Sequence, residues 1–319
     1  MKARIGIDLG GTKIEGVRLE ADGEISSRIR VATPRNDYNA TVSAVDGLVR
    51  QLDDGSAKVG VGSPGSWVAS RGRMQNCNST WLNDRPLLDD LNRALGGRVR
   101  LANDADCFAL SEARGGAADD RDVVFGAILG TGVGGGVVIG DRLLQGPNGL
   151  AGEWGHTPLV KPMAGMPSRR CYCGRSDCVE TWLSGPGLLA SHQALWPKET
   201  EGPDSAEQVY SRAALGIAGP DWWREESADV DETSRARAGL VLYCRLLAEN
   251  LARIVNTLDP DAIVLGGGLS QMQEIYVAVR ELMAPHVFGE VFETELLPPV
   301  FGASSGVRGA AWLWSPEEG

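Results

Sequence analysis

The densest group of chemically active side chains in the sequence is a set of three cysteines within eight residues, Cys171, Cys173 and Cys178. His156 lies upstream and can supply a fourth ligand atom. Three thiolates and one imidazole form the closed tetrahedral set that structural zinc adopts. Crowded thiols are rare without a metal or a disulfide, and the absence of a recognisable secretion signal favours the metal. We therefore predict a structural zinc site that leaves no coordination position open for chemistry.

Two carboxylates lie close to the predicted zinc ligands in the sequence. Glu153 precedes His156 by three residues, and Glu180 follows Cys178 by two. A metal at this place would fix both carboxylates beside a pocket. Because each carboxylate accepts several hydrogen bonds, the pair suits the recognition of sugar hydroxyl groups.

Two glycine-rich segments could each hold phosphate groups, because glycines in a tight turn let backbone N–H groups approach an anion closely. Neither segment matches the GxxxxGK[ST] or GxGxxG pattern, and a single turn of this kind is more often a plain hairpin. Because the turn occurs twice, phosphate binding becomes the favoured interpretation, since two facing turns could hold the phosphates of a nucleotide from both sides of a cleft. In the first turn, the carboxylate of Asp8 could also hold a hydrated Mg²⁺. The residues concerned are Asp8, Gly10, Gly11, Thr12 and Lys13 in the first segment and Gly130, Thr131, Gly132 and Gly134 in the second.

The candidate base is Asp104, which follows Asn103 where a strand pattern gives way to a helical one. A lone Asp in this position is most often an ordinary N-cap. An Asp at the end of a strand could instead accept the proton of a hydroxyl group during phosphoryl transfer. Asn103 would then position the molecule that carries the hydroxyl. The duplicated glycine turns favour this second interpretation.

The composition excludes some classes of partner. The net charge is −11 and the hydrophobic fraction is 43%, values of a globular chain with no general attraction for nucleic acid or anionic membranes. No apolar run approaches the roughly 20 residues of a membrane-spanning helix. We see no signal peptide and expect a cytoplasmic protein.

The elements that must position these residues alternate between strand and helix patterns. A strand, a glycine turn and a second strand occur near residue 10 and again near residue 132, and the small polar run 115–120 suggests a domain boundary between them. Pro158–Arg170 reads as a loop, and Pro197–Asp231 is polar and acidic. The predicted strands are 5–9, 14–19, 59–61, 99–101, 123–129, 137–139 and 262–265, and the predicted helices are 40–52, 87–95, 105–114, 236–255, 269–282 and 307–314.

Taken as a set, the motifs resemble the ROK family (repressors, open reading frames, kinases). The resemblance runs nearly end to end. It implies an actin-like, ribonuclease H-like ATPase fold of the α/β class, with two α/β domains around an interdomain cleft. The small domain would be 1–118, completed by the C-terminal helix 306–319, and 119–305 would form the large domain with the zinc loop. The motifs are Asp8-Leu9-Gly10-Gly11-Thr12-Lys13, Gly130-Thr131-Gly132-x-Gly134, Gly152-Glu153-x-Gly155-His156 and Cys171-x-Cys173-Gly174-x-x-x-Cys178-x-Glu180.

The same resemblance implies an ATP-dependent hexose kinase in which Asp104 is the general base acting on the 6-hydroxyl. The implied cofactors are Mg²⁺ and structural Zn²⁺, and a homodimer is also implied. His156 would serve twice, with one ring nitrogen on zinc and the other toward the sugar. The implied sugar contacts are Asn78, Asn103, Asp104, Glu153, His156 and Glu180, and Gly266, Gly267 and Gly268 would lie near the adenosine.

Within the family, the segments 78–83, 101–105, 171–174 and 304–312 are similar to bacterial fructokinases of the mannofructokinase type. They predict D-fructose as the sugar and leave mannose open as a second substrate. Glucokinase, mannokinase and N-acetylglucosamine kinase remain as alternatives, because these enzymes share the pocket motifs. A sugar-responsive repressor is disfavoured, since only seven residues precede Asp8 and no helix-turn-helix fits there. A sugar-binding module without activity is disfavoured by Asp104 and the two glycine turns.

Overall fold

A computed structural model describes residues 3–53, 55–159, 165–197, 201–224, 231–315 and 318. The chain groups into two compact units. The first unit consists of Met1–Gly126, Gly135–Gly152 and Pro299–Gly319, and the second unit consists of Ala127–Gly134 and Glu153–Pro298. The predicted domain limits, 1–118 with 306–319 and 119–305, stay a prediction.

Strands and helices alternate through the first half of the described chain, and helices dominate the second half. None of the described helices is both long and apolar enough to cross a membrane. In chain order the elements are β1 (Arg4–Leu9), β2 (Lys13–Leu19), β3 (Ile25–Ala32), α1 (Tyr38–Leu52), β4 (Lys58–Ser63), β5 (Ser66–Val68), β6 (Arg73–Gln75), α2 (Leu87–Ala94), β7 (Val99–Asn103), α3 (Asp104–Ala113), β8 (Val123–Leu129), β9 (Val133–Ile139), β10 (Arg142–Leu143), α4 (Glu180–Leu183), α5 (Gly185–Leu195), α6 (Ala206–Ala214), α7 (Glu232–Leu258), β11 (Ala262–Gly266), α8 (Glu274–Met283), β12 (Glu295–Leu297) and α9 (Ser305–Ala311).

The first unit contains a five-stranded sheet with the strand order β3-β2-β1-β4-β7. β1 and β2 are antiparallel and flank the first glycine turn, whereas β1, β4 and β7 run parallel. The carboxyl ends of parallel strands meet at one edge of a sheet, where open α/β sheets bind their ligands. The register pairs Asp8 with Gly62 and Ser63 with Asn103, so the ends of β1 and β7 share this edge.

The helix α1 packs on this sheet through β1, β2 and β3. Val45, Leu48 and Leu52 recur at helical spacing and are buried. The helix begins after Asp37, whose carboxylate accepts a hydrogen bond from the backbone N–H of Ala40 at 2.9 Å. Sequence periodicity and a capping residue therefore account for both the position and the orientation of this helix.

The C-terminal helix α9 packs against β1, β4 and α3. Its backbone lies very close to the strands. A Cβ atom on Gly60 would lie 1.7 Å from the carbonyl oxygen of Ala310, and one on Gly6 would lie 2.0 Å from that of Val307. Glycine is therefore required at both strand positions because a helix backbone occupies the space of a side chain.

The buried carboxylate of Glu112 ties the end of α3 to the segment that leads into α9. Because burying an unpaired charge is costly, the four hydrogen bonds that this carboxylate accepts are needed to hold it in place. The helix α3 starts at Asp104, so the link also holds the helix that carries the candidate base. The donors are the backbone N–H groups of Ala117, Val300 and Phe301, at 3.1, 3.0 and 3.2 Å, and the hydroxyl of Ser305 at 2.8 Å.

The second sheet has the strand order β10-β9-β8-β11-β12. β8 and β9 flank the second glycine turn, as the internal repeat predicted. In the second unit, α7 is the longest helix that the structure describes, and it packs against α5, α6 and α8. It begins after Asp231, whose carboxylate accepts from the backbone N–H of Ser234 at 2.8 Å, and ends at Asp259 in the left-handed conformation.

The predicted elements are confirmed with small shifts of their ends, and three differences stand out. The strand β3 was missed although its residues alternate between half-buried and exposed, as expected of an edge strand. The predicted helix 269–282 starts as the 3₁₀ turn Gly268–Gln271 and becomes α-helical only at Glu274. The acidic segment Pro197–Asp231 contains α6, whereas its residues 198–200 and 225–230, and residues 160–164 of the predicted loop Pro158–Arg170, lie outside the described residues.

We expect Gly60→Ala to lower the free energy of unfolding by about 3 kcal/mol or more, because the new methyl group would overlap a backbone carbonyl of α9. Gly47→Ala is the matched control, since Gly47 lies inside α1 and a Cβ there would meet nothing within 4 Å. Alanine at that position should be neutral or stabilising by up to about 1 kcal/mol. Urea unfolding followed by circular dichroism measures both effects, and equal effects would contradict the packing argument.

Candidate active site

The first glycine turn joins β1 to β2 in the first unit and is held from the neighbouring strand. The hydroxyl of Thr33 donates to the carbonyl oxygen of Gly10 at 2.7 Å, and the backbone N–H of Thr33 donates to that of Thr12 at 3.0 Å. A Cβ on Gly10 would lie 2.8 Å from the carbonyl oxygen of Lys13, so the tight turn excludes a side chain there. The turn is thus rigid and compact, as a phosphate-binding turn must be.

A cavity of about 310 Å³ opens beside this turn. It brings together Asp8, the turn residues Gly10–Thr12, Asn78 and Asp104, which are distant in sequence. Lys13 and Asn103 are not among the residues that line it. The cavity is also lined by five residues that were not predicted as site residues: Leu9, Arg35, Pro64, Ser79 and Trp81. Arg35 follows the missed strand β3, so the correct strand assignment would have placed it near the turn.

Asn103, rather than Asp104, is the N-cap of α3. Its side-chain oxygen accepts a hydrogen bond from the backbone N–H of Asp106 at 2.6 Å. Asp104 is the first helical residue, and its carboxylate accepts local hydrogen bonds from the backbone, among them that of the Ala105 N–H at 2.9 Å. Asn103 therefore caps the helix, which is the structural role that a lone Asp usually has at this position. The carboxylate of Asp104 is not used for capping and lies at the cavity.

The two carboxyl groups at this cavity are electrostatically strained. Burial raises the pKa of Asp104. Burial, assisted by the charges of Asp104 and Glu15 and opposed by Lys13, raises the pKa of Asp8 to about 6. Raised pKa values make carboxylates better proton acceptors, and two such groups in one cavity favour a bound cation.

The second glycine turn lies in the second unit, where other predicted segments pack around it. The carbonyl oxygen of Gly130 accepts a hydrogen bond from the N–H of Gly185 at 2.8 Å. Gly267 has a φ of +82°, and a Cβ there would lie 2.3 Å from the carbonyl oxygen of Leu129. The structure thus brings Gly266–Gly268, at the end of β11, against the turn that begins at Gly130.

The segment that carries Glu153 and His156 also packs against the second glycine turn. The indole N–H of Trp154 donates to the carbonyl oxygen of Gly134 at 2.8 Å. A Cβ on Gly155 would lie 2.1 Å from the carbonyl oxygen of Val133. The Gly-Glu-x-Gly-His pattern is therefore explained by close backbone approach, because a larger residue at position 155 would push the segment away from the turn.

The four predicted metal ligands come together. The ligand atoms of His156, Cys171, Cys173 and Cys178 all lie within 4.8 Å of one another, the one such set with cysteine in the described part of the chain. The Nδ1 atom of His156 is 3.7 Å from the sulfur of Cys171, and the sulfurs of Cys173 and Cys178 are 3.6 Å apart. The separations of these two pairs fit a tetrahedral zinc ion, whose ligand atoms lie roughly 3.3–3.8 Å from each other.

The turn that carries the cysteines is held by its own backbone. The N–H of Cys171 donates to the carbonyl oxygen of Arg175 at 2.9 Å, and Gly174 has a φ of +91°, which glycine adopts without strain. The side chain of Arg175 donates to Cys173 and lowers the pKa of that thiol to about 6, whereas burial raises the pKa of Cys178 to about 12. One thiolate is thus formed readily without a metal, and the others require the metal's charge.

Glu180 lies between the cysteine turn and the second glycine turn. Its carboxylate accepts a hydrogen bond from the backbone N–H of Val133 at 3.1 Å and lies 4.0 Å from the sulfur of Cys171. The second ring nitrogen of His156, Nε2, is 2.9 Å from the hydroxyl oxygen of Tyr172. Tyr172 was not predicted as a site residue, and its position between two cysteine ligands was the available signal.

The model of the ROK family matches residues 4–317. The chain belongs to the ROK family. It is similar to the N-acetyl-D-glucosamine kinase of Escherichia coli, with 35% identity over 316 residues that cover 97% of this chain and 98% of the relative.

Two solved ROK structures show the same fold. The ROK hexokinase of Thermus thermophilus is 27% identical and covers 99% of this chain and 98% of its own, with a TM-score of 0.80. The glucokinase of Streptomyces griseus, solved with glucose and AMPPNP, is also 27% identical and covers 97% of this chain and 98% of its own, with a TM-score of 0.72. The predicted α/β, actin-like ATPase fold is thereby confirmed.

We expect Asp8→Asn to stabilise this ROK protein at about pH 7.5 by up to roughly 2–3 kcal/mol, since one pKa unit corresponds to about 1.4 kcal/mol. The folded state raises the pKa of Asp8 from 3.8 to about 6, so wild-type stability falls as the pH rises through this window. The gain should vanish below about pH 3, where Asp8 is protonated in both states. Urea unfolding in magnesium-free buffer at both pH values measures it.

The control for this experiment is Glu290→Gln, which neutralises an exposed carboxylate. It should change the stability little at either pH. A stabilisation by Asp8→Asn that is equal at both pH values would contradict the electrostatic origin.

We expect the purified protein to contain one zinc ion per chain and Cys178→Ser to lose it, because a Cys₃His set needs every ligand for tight binding. Cys244→Ser is the matched control, since Cys244 is buried in α7 and is not part of the ligand set. Elemental analysis by inductively coupled plasma mass spectrometry measures the metal. Wild-type protein without zinc, or Cys178→Ser with a full equivalent, would contradict the assignment.

Proposed function

We propose that this ROK protein is an ATP-dependent sugar kinase whose preferred substrate is N-acetyl-D-glucosamine. The end-to-end similarity to N-acetyl-D-glucosamine kinases, at 35% identity, is the observation that carries the choice of sugar. The sugar and nucleotide analogue named for the Streptomyces griseus glucokinase support the two substrate classes. Glucose is the second candidate, because that glucokinase and the present chain share the fold over nearly their whole lengths.

These relatives give no support to fructose as the substrate. The contacts of the segment 78–83, on which that expectation partly rested, suggest why its residue pattern does not identify the sugar. The amide of Asn83 closes the loop 77–83, since it accepts from the N–H of Cys77 at 2.8 Å and donates to the carbonyl oxygen of Cys77 at 3.2 Å. Leu82 is buried, and the indole of Trp81 donates to the hydroxyl of Thr41 at 3.2 Å. Trp81, Leu82 and Asn83 therefore stabilise the loop that presents Asn78 to the cavity, so these three residues indicate the conformation of the loop and do not by themselves identify the sugar.

In the proposed reaction, Asp104 accepts the proton of the sugar hydroxyl as the bond from its oxygen to the γ-phosphorus of ATP forms and the bond to the leaving ADP oxygen breaks. The raised pKa of Asp104 suits this role, because a weaker acid is a stronger base. Asn78 lines the same cavity and would orient the sugar, whereas Asn103 would act through the helix that it caps.

The amides of the first glycine turn, which lines the cavity with Asp8 and Asp104, would stabilise the charge of the transferring phosphoryl group. Gly266–Gly268 would adjoin the nucleotide because they pack on the second turn. Asp8 would hold Mg²⁺, which neutralises phosphate charge when bound, and the proximity of two strained carboxylates favours such a cation. Lys13, which does not line the cavity, would act on the phosphates from its rim.

His156 and the three cysteines would hold a structural zinc ion, which supplies cross-linking and no chemistry. Glu180 would then be fixed from two sides, by the cysteine turn and by Val133. Glu153 would be placed by the packing of its neighbours Trp154 and Gly155. A homodimer and a cytoplasmic location stay predictions.

The test is a substrate panel with purified protein and MgATP. We expect kcat/KM for N-acetyl-D-glucosamine to exceed that for glucose, mannose and fructose by roughly tenfold or more, with the 6-phosphate identified by nuclear magnetic resonance. Asp104→Asn should lower kcat by about 10²–10⁴-fold, and Glu290→Gln should not. A preference for fructose would restore the first expectation, and phosphorylation of no hexose would contradict the kinase.

A further inference from the structure

Arg35 is the only basic residue that lines the cavity beside the first glycine turn, within the part of the chain that the structure describes. Asp8 and Asp104 line the same cavity. Lys13, the cation of the glycine-turn motif itself, does not line it. A phosphoryl group that enters this cavity is repelled by the two carboxylates, so a positive charge beside it would stabilise its binding. Arg35 is the residue placed to supply that charge.

The chain that precedes Arg35 is attached to the first glycine turn. The hydroxyl of Thr33 donates to the carbonyl oxygen of Gly10 at 2.7 Å, and the backbone N–H of Thr33 donates to that of Thr12 at 3.0 Å. Arg35 follows two residues later, so the position of its backbone depends on the turn. The arginine and the amides of the turn would therefore approach a bound phosphate together.

The carbonyl oxygen of Pro34, directly before Arg35, is also held in place. It accepts a hydrogen bond from the hydroxyl of Thr41 at 3.2 Å. The same hydroxyl accepts from the indole N–H of Trp81 at 3.2 Å, and Trp81 lines the cavity. These bonds connect the segment to α1 and to the wall of the cavity. The exposed side chain of Arg35 thus extends from an ordered backbone.

The guanidinium of Arg35 is available for a ligand. Arg28 and Arg30, on β3, both pair with Glu15, at 3.0 and 2.7 Å. Arg35 makes no hydrogen bond, ion pair or ring contact with any residue that the structure describes. An arginine without a partner is common at a protein surface, but Arg35 differs because it lines a cavity with a glycine turn. Its planar fork of N–H donors matches two oxygens of a phosphate group.

We propose that Arg35 contacts the γ-phosphate of ATP and stabilises it during transfer. Its guanidinium donates hydrogen bonds to oxygens of the γ-phosphate and offsets the negative charge of Asp8 and Asp104. The bond from the sugar oxygen to the γ-phosphorus forms, the bond to the leaving ADP oxygen breaks, and the proton of the sugar hydroxyl goes to Asp104. Arg35 keeps its protons throughout. The proposal rests on the proposed sugar kinase activity.

The decisive measurement compares two nucleotides by calorimetry with Mg²⁺ and without sugar, because AMPPNP carries a third phosphate and ADP lacks it. In Arg35→Ala the affinity for AMPPNP should fall roughly tenfold or more, since hydrogen bonds to a charged group are lost, and the affinity for ADP should stay within about twofold. Arg35→Lys should retain part of the affinity for AMPPNP, because it keeps the charge and loses the fork. Arg71→Ala is the matched control, since Arg71 is an exposed loop arginine that does not line the cavity.

Kinetics with N-acetyl-D-glucosamine provide a second measurement. Arg35→Ala should lower kcat roughly 10²-fold or more, as the loss of a donor to the transition state does, while the KM for the sugar changes little. Equal losses of affinity for AMPPNP and ADP, unchanged affinity for both, or a loss confined to the sugar would overturn the proposal. Failure of the wild-type protein to phosphorylate any hexose would instead contradict the proposed function. The comparison of the two nucleotides uses no sugar, so the two failures are distinguishable.

Discussion

The close packing of backbone segments around the second glycine turn is the constraint on which the second unit depends. The carbonyl oxygens of Leu129, Gly130, Val133 and Gly134 are each approached by a glycine or an indole from another segment. At two of these places a Cβ atom would overlap the carbonyl oxygen, which explains why glycine occurs at Gly155 and Gly267. The turn therefore orders three functional segments at once, and the predicted nucleotide and sugar residues of this unit share one support.

The first unit uses a different device, the parallel pairing of β1, β4 and β7. This pairing carries Asp8 and the start of α3 to one edge of the sheet, and α9 supports the strands through contacts that only glycine allows. The resulting proximity of Asp8 and Asp104 is unfavourable for two buried carboxylates. Paired carboxyl groups with raised pKa values are typical of functional sites, which supports the proposed role of this edge of the sheet.

The proposed zinc ion would have a structural part in this arrangement. The cysteine turn is short and largely exposed to solvent at Tyr172 and Cys173, and it has little apolar surface of its own to bury. A bound metal ion would stabilise the turn, because the turn buries too little apolar surface to be stabilised by a core of its own. Through Glu180 the same turn reaches Val133, so the proposed metal site and the second glycine turn are linked by one carboxylate.

The sequence by itself determined the fold family, both glycine turns and the four-ligand cluster, because each depends on residue types at short, fixed spacings. It also placed Asp104 where a strand meets a helix, but could not separate a base from a cap. The tertiary structure gives the cap to Asn103 and leaves the carboxylate of Asp104 at the cavity, and the role of Asp104 as a base stays a proposal. It likewise revealed Arg35, which joins the cavity through a strand that was not predicted, and Tyr172, whose hydroxyl faces His156. These contacts join residues distant in the chain or depend on side-chain direction, and local patterns carry no information about either.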